Sequence, residues 1–493
     1  MRSAGFHSIG MMSAMIILLS TCSVHSLARP VAERVWAIGD LHGDAGCAFK
    51  WVERTGVVSN LSAPPEHWVW ADDASQLVFM GDYIDRGPDA RAVLVLVREL
   101  TRRFPEHVHA LLGNHELNLL IDRARQPGGG RYLEYAYAAA HPAQYLAWVD
   151  NESSTEPAAD ELSPREVLRA LHGALLRVYR DRRQLYAQAK VLMTPDGPRS
   201  IVHYVQPPEA RARVASALRR WQAAYMRGIS PRSELGSWLQ RPLSVHLAGT
   251  LFVHGGLSEA LLDTELPAAA PAQATAATPA TAAASTRRLD SLEALAELND
   301  RWLAVASSGR VGELAPVPGE TTAEAEAAEA LALAQSRELV EIASELVEYR
   351  GLHEAYAMRY HDGHSDAAAA GGGLSPAQIG CDRVDAVLRR LNASRIAVGH
   401  TPADSVRIRC GGRLLALDST LSRNFRAHGN YYCDGGMEAE EPRICPPRRE
   451  ACEGQIVRLE RANPAAAWML HVVGIEWDHD EEEGGVEEVK VEL

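Results

Sequence analysis

The sequence predicts one elaborated α/β domain. Three observations carry this: apolar runs of strand length, helical stretches set between them, and small polar clusters that close run after run. Val35–Ile38 is the first run, and the stretch Ala45–Arg54 after it has helical character. Leu77–Met80 is the second, followed by a helical Asp89–Arg103, and Val108–Leu112 is the third. Strand-helix-strand alternation implies parallel pairing with helices on the sheet faces. Thr250–Val253 reads as a further buried strand, Cys381–Leu391 as a helix and Ile396–Val398 as a strand. Val406–Arg409, Leu414–Leu417 and Ile456–Leu459 complete the strands expected near the C-terminus.

Long insertions interrupt this frame, at about 124–245, 267–335 and 361–378 of a domain running from 31 to 475. Within the first, Ser163-Pro164 places an N-cap before a proline at the first helical position. Val167, Leu168, Leu171, Leu175 and Val178 then recur at helical spacing, so Glu161–Leu192 is an amphipathic helix. Its arginines, Arg165, Arg169, Arg177, Arg180, Arg182 and Arg183, form a solvated polar face. Pro267–Thr286 is Ala/Pro/Thr low complexity, Glu320–Gln335 is Ala/Glu-rich and helical, and Asp366–Gly373 ends in a glycine turn.

Composition narrows the class. The 493 residues are 46% hydrophobic and 23% charged, an ordinary globular balance. The net charge is −14, of which the tail 476–493 carries −8, and an acidic tail of this kind is expected to be solvated and flexible. No basic footprint is present, which argues against a nucleic-acid partner. Arg2 followed by the apolar Met11–Leu19 and small residues up to Ala28 reads as a signal peptide over 1–28. That run is too short to span a bilayer, and no later segment comes close. Removing it leaves Cys47, Cys381, Cys410, Cys433, Cys445 and Cys452, with the last three the expected place for a local bridge. Asn-x-Ser sequons at Asn60, Asn151 and Asn392 agree with secretion. Lys490-Val491-Glu492-Leu493 is one residue from the Lys-Asp-Glu-Leu retrieval signal, so retention in the endoplasmic reticulum lumen through a retrieval receptor is expected, with secretion as the alternative.

The clusters that close the strands carry the chemistry. The first run ends in Gly39-Asp40-Leu41-His42-Gly43-Asp44, the second in Gly81-Asp82-Tyr83-Ile84-Asp85-Arg86-Gly87 and the third in Gly113-Asn114-His115-Glu116. Two later runs end in His254-Gly255-Gly256 and Gly399-His400-Thr401. Five strands thus deliver Asp, Asn or His to one sheet edge, where ligands bind in open α/β sheets. Singly these motifs are weak, but five in order are not.

The set resembles the metallo-dependent phosphoprotein phosphatase superfamily, with a calcineurin-like phosphoesterase fold, and is most similar to its Shewanella-like branch. That likeness rests on Leu112-Gly113-Asn114-His115-Glu116 with Asn118-Leu119-Leu120, Arg131-Tyr132, Tyr349-Arg350-Gly351, Val398-Gly399-His400-Thr401, Leu417-Asp418-Ser419 and Ser422-Arg423. It covers about Val35 to Arg423 and lacks the Ser-Ala-Pro-Asn-Tyr loop of the eukaryotic Ser/Thr enzymes. It implies a central mixed β-sandwich flanked by helices.

It also implies two divalent ions: one on Asp40 and His42, a second on Asn114, His254 and His400, with Asp82 bridging. Mixed N/O ligands suit manganese, iron or zinc better than calcium, and manganese is expected. Such a pair polarises a phosphoryl oxygen and activates water for in-line attack. Arg86 and Arg350 would clamp phosphate oxygens, and His115, oriented by Asp85, would protonate the leaving oxygen. Asp44 is expected outside the ligand set, as an acid at a helix N-terminus. The expected reaction is hydrolysis of phosphotyrosine or phosphoserine/threonine in a protein. A dinucleoside polyphosphate, or a scaffold without catalysis, are the competing readings.

Overall fold

Runs of Val, Ile, Leu and Ala without polar alternation are strands buried on both faces, and they organise this molecule. A computed structural model describes residues 34–124, 141–149, 161–185, 191–267, 287–308, 311, 323–353, 376–428, 452–463, 466–474 and 488–492. The signal peptide, nearly all of Pro267–Thr286, Asp366–Gly373, Arg131-Tyr132, Asn151, Cys433, Cys445 and Leu493 lie outside the described residues. Residues from Ala32 to Leu493 form one unit.

The strands in chain order are β1 (Arg34–Ile38), β2 (Val58–Ser59), β3 (Val69–Trp70), β4 (Ser75–Phe79), β5 (Val108–Ala110), β6 (Ser244–Leu247), β7 (Thr250–Val253) and β8 (Arg395–Val398). They continue with β9 (Arg407–Arg409), β10 (Leu414–Ala416), β11 (Gln455–Glu460), β12 (Met469–Gly474) and β13 (Glu488–Glu492). One sheet has the order β13-β12-β11-β1-β4-β5 and the other β6-β7-β8-β10-β9, with β2 and β3 paired separately. β1, β4 and β5 run parallel in the first sheet, and β7, β8 and β10 in the second; the remaining pairs are antiparallel. Both sheets are therefore mixed, as expected of the sandwich.

Alternation within each strand builds two cores. Val35, Ala37, Val78 and Met80 pack with Phe252, Ala397, Leu415 and Val457 between the sheets. Trp36, Ile38, Leu77 and Phe79 face the other way, onto helices α1 (Ala45–Thr55) and α2 (Ala90–Arg103). Asp44 caps α1, its carboxylate accepting from Cys47 N at 3.2 Å, and pairs with the Arg423 guanidinium at 2.8 Å. The position expected for Asp44 is the one it holds.

The first insertion adds a helical layer. Helix α3 (Asn114–Ala124) leads towards α4 (Pro142–Leu146), α5 (Pro164–Leu185), α6 (Arg211–Gly228) and α7 (Glu234–Trp238). α5 starts at a capping box: Glu166 accepts from Ser163 N at 2.8 Å while Ser163 Oγ accepts from Glu166 N at 3.4 Å. α4 and α5 both pack on α6. Beyond them come α8 (Glu259–Asp263), α9 (Leu292–Ser308), α10 (Ala323–Glu348), α11 (Pro376–Leu391) and α12 (Arg423–His428).

Three expectations need correction. α10 runs on to Glu348 rather than ending near Gln335, because Leu339, Ile342, Ala343, Leu346 and Val347 keep a buried helical stripe going. Cys452 does not bridge locally. It bonds to Cys47 on α1, 405 residues away, because β11 lies beside β1; Cys381 bonds to Cys410. The end of the acidic tail is a strand. Glu488–Glu492 alternates polar residues with Val489 and Val491, pairs with β12, and anchors Glu488 to His471 at 2.7 Å and Arg458 at 2.8 Å. Lys490 to Glu492 are therefore sheet residues, not a free end.

Candidate metal centre

Each predicted cluster sits just past the C-terminal end of a parallel strand: Asp40 and His42 after β1, Asp82 after β4, Asn114 after β5, His254 after β7 and His400 after β8. The first three come from one sheet and the last two from the other, so the centre straddles the mouth of the sandwich. All but Asn114 are at least nine-tenths buried.

Backbone conformation is strained here. His42, Asp82, Asp85, Arg86 and His400 are five of the ten non-glycine residues with positive φ among those described, so the strain is concentrated at the predicted site. Close backbone packing sets two glycines. A Cβ on Gly113 would lie 2.2 Å from Asp82 N, and one on Gly255 would lie 2.6 Å from the Val347 carbonyl carbon. The second contact is the end of α10, whose Leu346 carbonyl accepts from Gly255 N at 2.9 Å and Gly256 N at 3.0 Å. The overlooked half of α10 thereby delivers Arg350 beside His400.

The donor set fits divalent cations. His254 Nδ1 donates to the Met80 carbonyl at 2.8 Å and His42 Nδ1 to the Ile84 carbonyl at 3.2 Å. Each ring thus turns its Nε2 lone pair inward. Asp82 divides its oxygens: Oδ1 lies 3.3 Å from His254 Nε2, and Oδ2 lies 3.7 Å from both His42 Nε2 and His115 Nε2. The Asn114 amide head stands 3.1 Å from His254 Nε2 and 2.9 Å from His400 Nδ1. Two groups of ligand-type atoms result, His42/Asp82/His115 and Asp82/His254/His400, with Asp82 common to both.

Asp40 also has partners on the second sheet. Its Oδ2 accepts from His400 N at 3.1 Å, and its carboxyl shares a hydrogen bond with Asp418. Burial, then the charges of Asp418 and Asp82, hold Asp40 well above the usual carboxylate range. Burial likewise takes His42 down to about 3, leaving its imidazole neutral.

His115 and Asp85 form the expected pair, with Nδ1 donating to Oδ2 at 2.7 Å. Arg86 lies over the Phe425 ring at 5.0 Å, and its charge is felt at His42 and His115. Arg350 donates to Thr401 Oγ1 at 3.2 Å, and its charge is felt at His400.

Three residues had no role in the sequence reading. Asp418, at the end of β10, faces Asp40; its Leu-Asp-Ser setting was visible but not its partner. Gln144, in the first insertion, has no local signal at all. Glu116 is the last residue of Gly-Asn-His-Glu. It is fully buried and accepts four backbone N–H bonds: Asp82 and Tyr83 at 2.8 Å, Gly113 at 3.1 Å and Ile84 at 3.2 Å. Glu116→Ala would strand four buried donors, so a loss of at least about 3 kcal/mol is expected. Urea unfolding monitored by circular dichroism measures it, and a change under about 1 kcal/mol would deny Glu116 this bracing role.

Residues 33–211 match the family described as calcineurin-like phosphoesterase. The chain is similar to the serine/threonine-protein phosphatase rdgC of Drosophila melanogaster, 27% identical over 151 residues, which are 31% of this chain and 20% of that protein. It is also similar to a symmetrical bis(5'-nucleosyl)-tetraphosphatase of Bordetella pertussis, 32% identical over 117 residues, which are 23% of this chain and 36% of that protein. The matched stretches span 15% to 36% of the length of these and related curated proteins, less than two thirds of each. The solved structure of a cold-active protein-tyrosine phosphatase from a Shewanella species matches at 14% identity and a TM-score of 0.39, covering 90% of this chain and 77% of that one.

Proposed function

We propose that this chain, which carries a calcineurin-like phosphoesterase domain, is a dinuclear-metal phosphomonoesterase that acts on phosphorylated proteins. One observation carries the reading: a single buried carboxylate, Asp82, turns one oxygen to each of two histidine groups, and the His115–Asp85 pair stands against it. Asp40 and His42 would hold one cation, Asn114, His254 and His400 the other, and Asp82 both. Manganese, iron or zinc in such sites supplies Lewis acidity to a phosphoryl oxygen and lowers the pKa of water. The chain's own residues do the rest. Arg86 and Arg350 orient the phosphoryl oxygens with their guanidinium forks. Asp85 fixes the Nδ1–H of His115, so only Nε2 can pass a proton to the departing oxygen.

The phosphoprotein reading draws on the similarity to a serine/threonine-protein phosphatase. The Bordetella relative supports a second reading, hydrolysis of a dinucleoside polyphosphate. A panel of phosphotyrosine, phosphoserine and phosphothreonine peptides, run with manganese beside diadenosine tetraphosphate, separates them. Faster turnover of phosphopeptides is expected. Preference for the dinucleotide would install the alternative, and no turnover even of an aryl phosphate would leave only a binding scaffold.

The two disulfides accord with an oxidising compartment of the secretory pathway. Blocking free thiols before lysis should protect no cysteine of either pair in the native protein. Labelling of Cys47 and Cys381 would contradict the secretory placement.

A further inference from the structure

Gln144 is 1% exposed and reads Asp85 from two sides. Its Oε1 accepts from Asp85 N at 3.1 Å, and its Nε2 donates to Asp85 Oδ1 at 2.9 Å. A backbone N–H can only donate, so the orientation of this amide is not a free choice. The Nε2 group also faces Tyr225 OH at 3.5 Å. Tyr225, itself 2% exposed, packs edge-on against Tyr145 at 5.3 Å and Trp148 at 5.5 Å. These contacts seat α4 on α6. Asp85 has φ 68°, so its backbone is held where an L-residue rarely rests.

We propose that Gln144 is a positioning residue for the proton donor, completing a buried chain Tyr225–Gln144–Asp85–His115; the proposal rests on the acid role given above to His115. Both oxygens of the Asp85 carboxylate are then assigned, Oδ2 to His115 Nδ1 and Oδ1 to the Gln144 amide. With its second oxygen and its N–H both bound, Asp85 cannot rotate away from the imidazole. The five strand ends would therefore supply the cation ligands, while the inserted helices aim the acid. Gln144 bonds to Asp85 and not to His115, so it would act through Asp85.

The test compares kcat and KM on a phosphoserine peptide and on 4-nitrophenyl phosphate, with manganese, for Gln144→Leu, His115→Ala and the double variant. Gln144→Leu should lower kcat on phosphoserine by about 10- to 100-fold, the scale of a lost charge-assisted bond, with KM nearly unchanged. The aryl substrate, whose leaving group needs less proton assistance, should lose less than about threefold. In the His115→Ala background Gln144→Leu should add no selective loss, since the two act as one unit. Equal losses on both substrates, no loss, or full additivity would overturn the proposal while leaving the acid role intact. If His115→Ala itself were indifferent to the leaving group, the acid role would fail and this proposal with it. Should Gln144→Leu not fold, the near-isosteric Gln144→Met carries the test: it keeps the length of the side chain and removes the donor to Oδ1 without adding a charge. The same substrate bias is expected from it, and its absence would overturn the assignment.

Discussion

Asp82→Asn is expected to lose both cations and to lower turnover by about a thousandfold or more, roughly 4 kcal/mol of barrier. The argument is one of charge and shape. Asp82 Oδ1 serves the His254 side and Oδ2 the His42 side, so each oxygen is needed and each must be an acceptor. An asparagine keeps the outline but turns one oxygen into an N–H donor and removes the charge that two divalent ions share. The variant should still fold, because the turn is braced from outside the carboxylate: Glu116 accepts from the backbone of Asp82, Tyr83 and Ile84. Two readouts besides rate are available. Metal analysis of the purified variant should find far fewer than two ions per chain. Manganese should also cease to raise the melting temperature, where a site held at a thousand times its Kd would otherwise contribute about 4 kcal/mol. Two ions retained with near wild-type turnover would remove Asp82 from the bridge.

How much of this was legible depends on whether the signal was local. The apolar runs within β1, β4, β7 and β8 are buried on both faces, and glycine-flanked polar residues follow within three positions, so strand and ligand are written side by side. β12 and β13 were not legible in the same way. His471 interrupts one, its ring buried and paired with Glu460 and Glu488, and the other hides its valine alternation inside an acidic run. Non-local partners left no trace. Cys452 lies near Cys433 and Cys445 in sequence, yet sheet order brings it to Cys47. Gln144 is an isolated polar residue 59 positions from Asp85, and only the packing of α4 on α6 gives it a role. Arg350 was legible as a candidate through its Tyr-Arg-Gly setting, but not the helix end that presents it. Asp40 shows the opposite case: its motif was read at once, while its pairing with Asp418 depends on the second sheet.

His115→Ala should cost about 10²- to 10⁴-fold in kcat on phosphoserine and far less on an aryl phosphate. The structure leaves two uses for this ring, since His115 Nε2 and His42 Nε2 are both 3.7 Å from Asp82 Oδ2. A carboxylate on Nδ1 does not choose between them, because ligating histidines are often held that way too. Metal content and substrate dependence do choose. Burial would lower His115, but Asp82 and Asp85 hold the imidazole above its ordinary value, and Asp82 does the same for the ligand-type His254, so charge alone does not separate acid from ligand. If His115 is the donor, its loss matters in proportion to the basicity of the departing oxygen. A phenolate, with a conjugate acid near pKa ~10, leaves with little help, whereas a serine alkoxide is several units more basic. Metal content would stay at the wild-type level. If His115 is instead a ligand, the variant should lose metal, and both substrates should slow by the same factor. Measuring metal content and the two rates on one preparation decides between these uses, and parallel losses with a depleted centre would move His115 out of acid catalysis and into the ligand set.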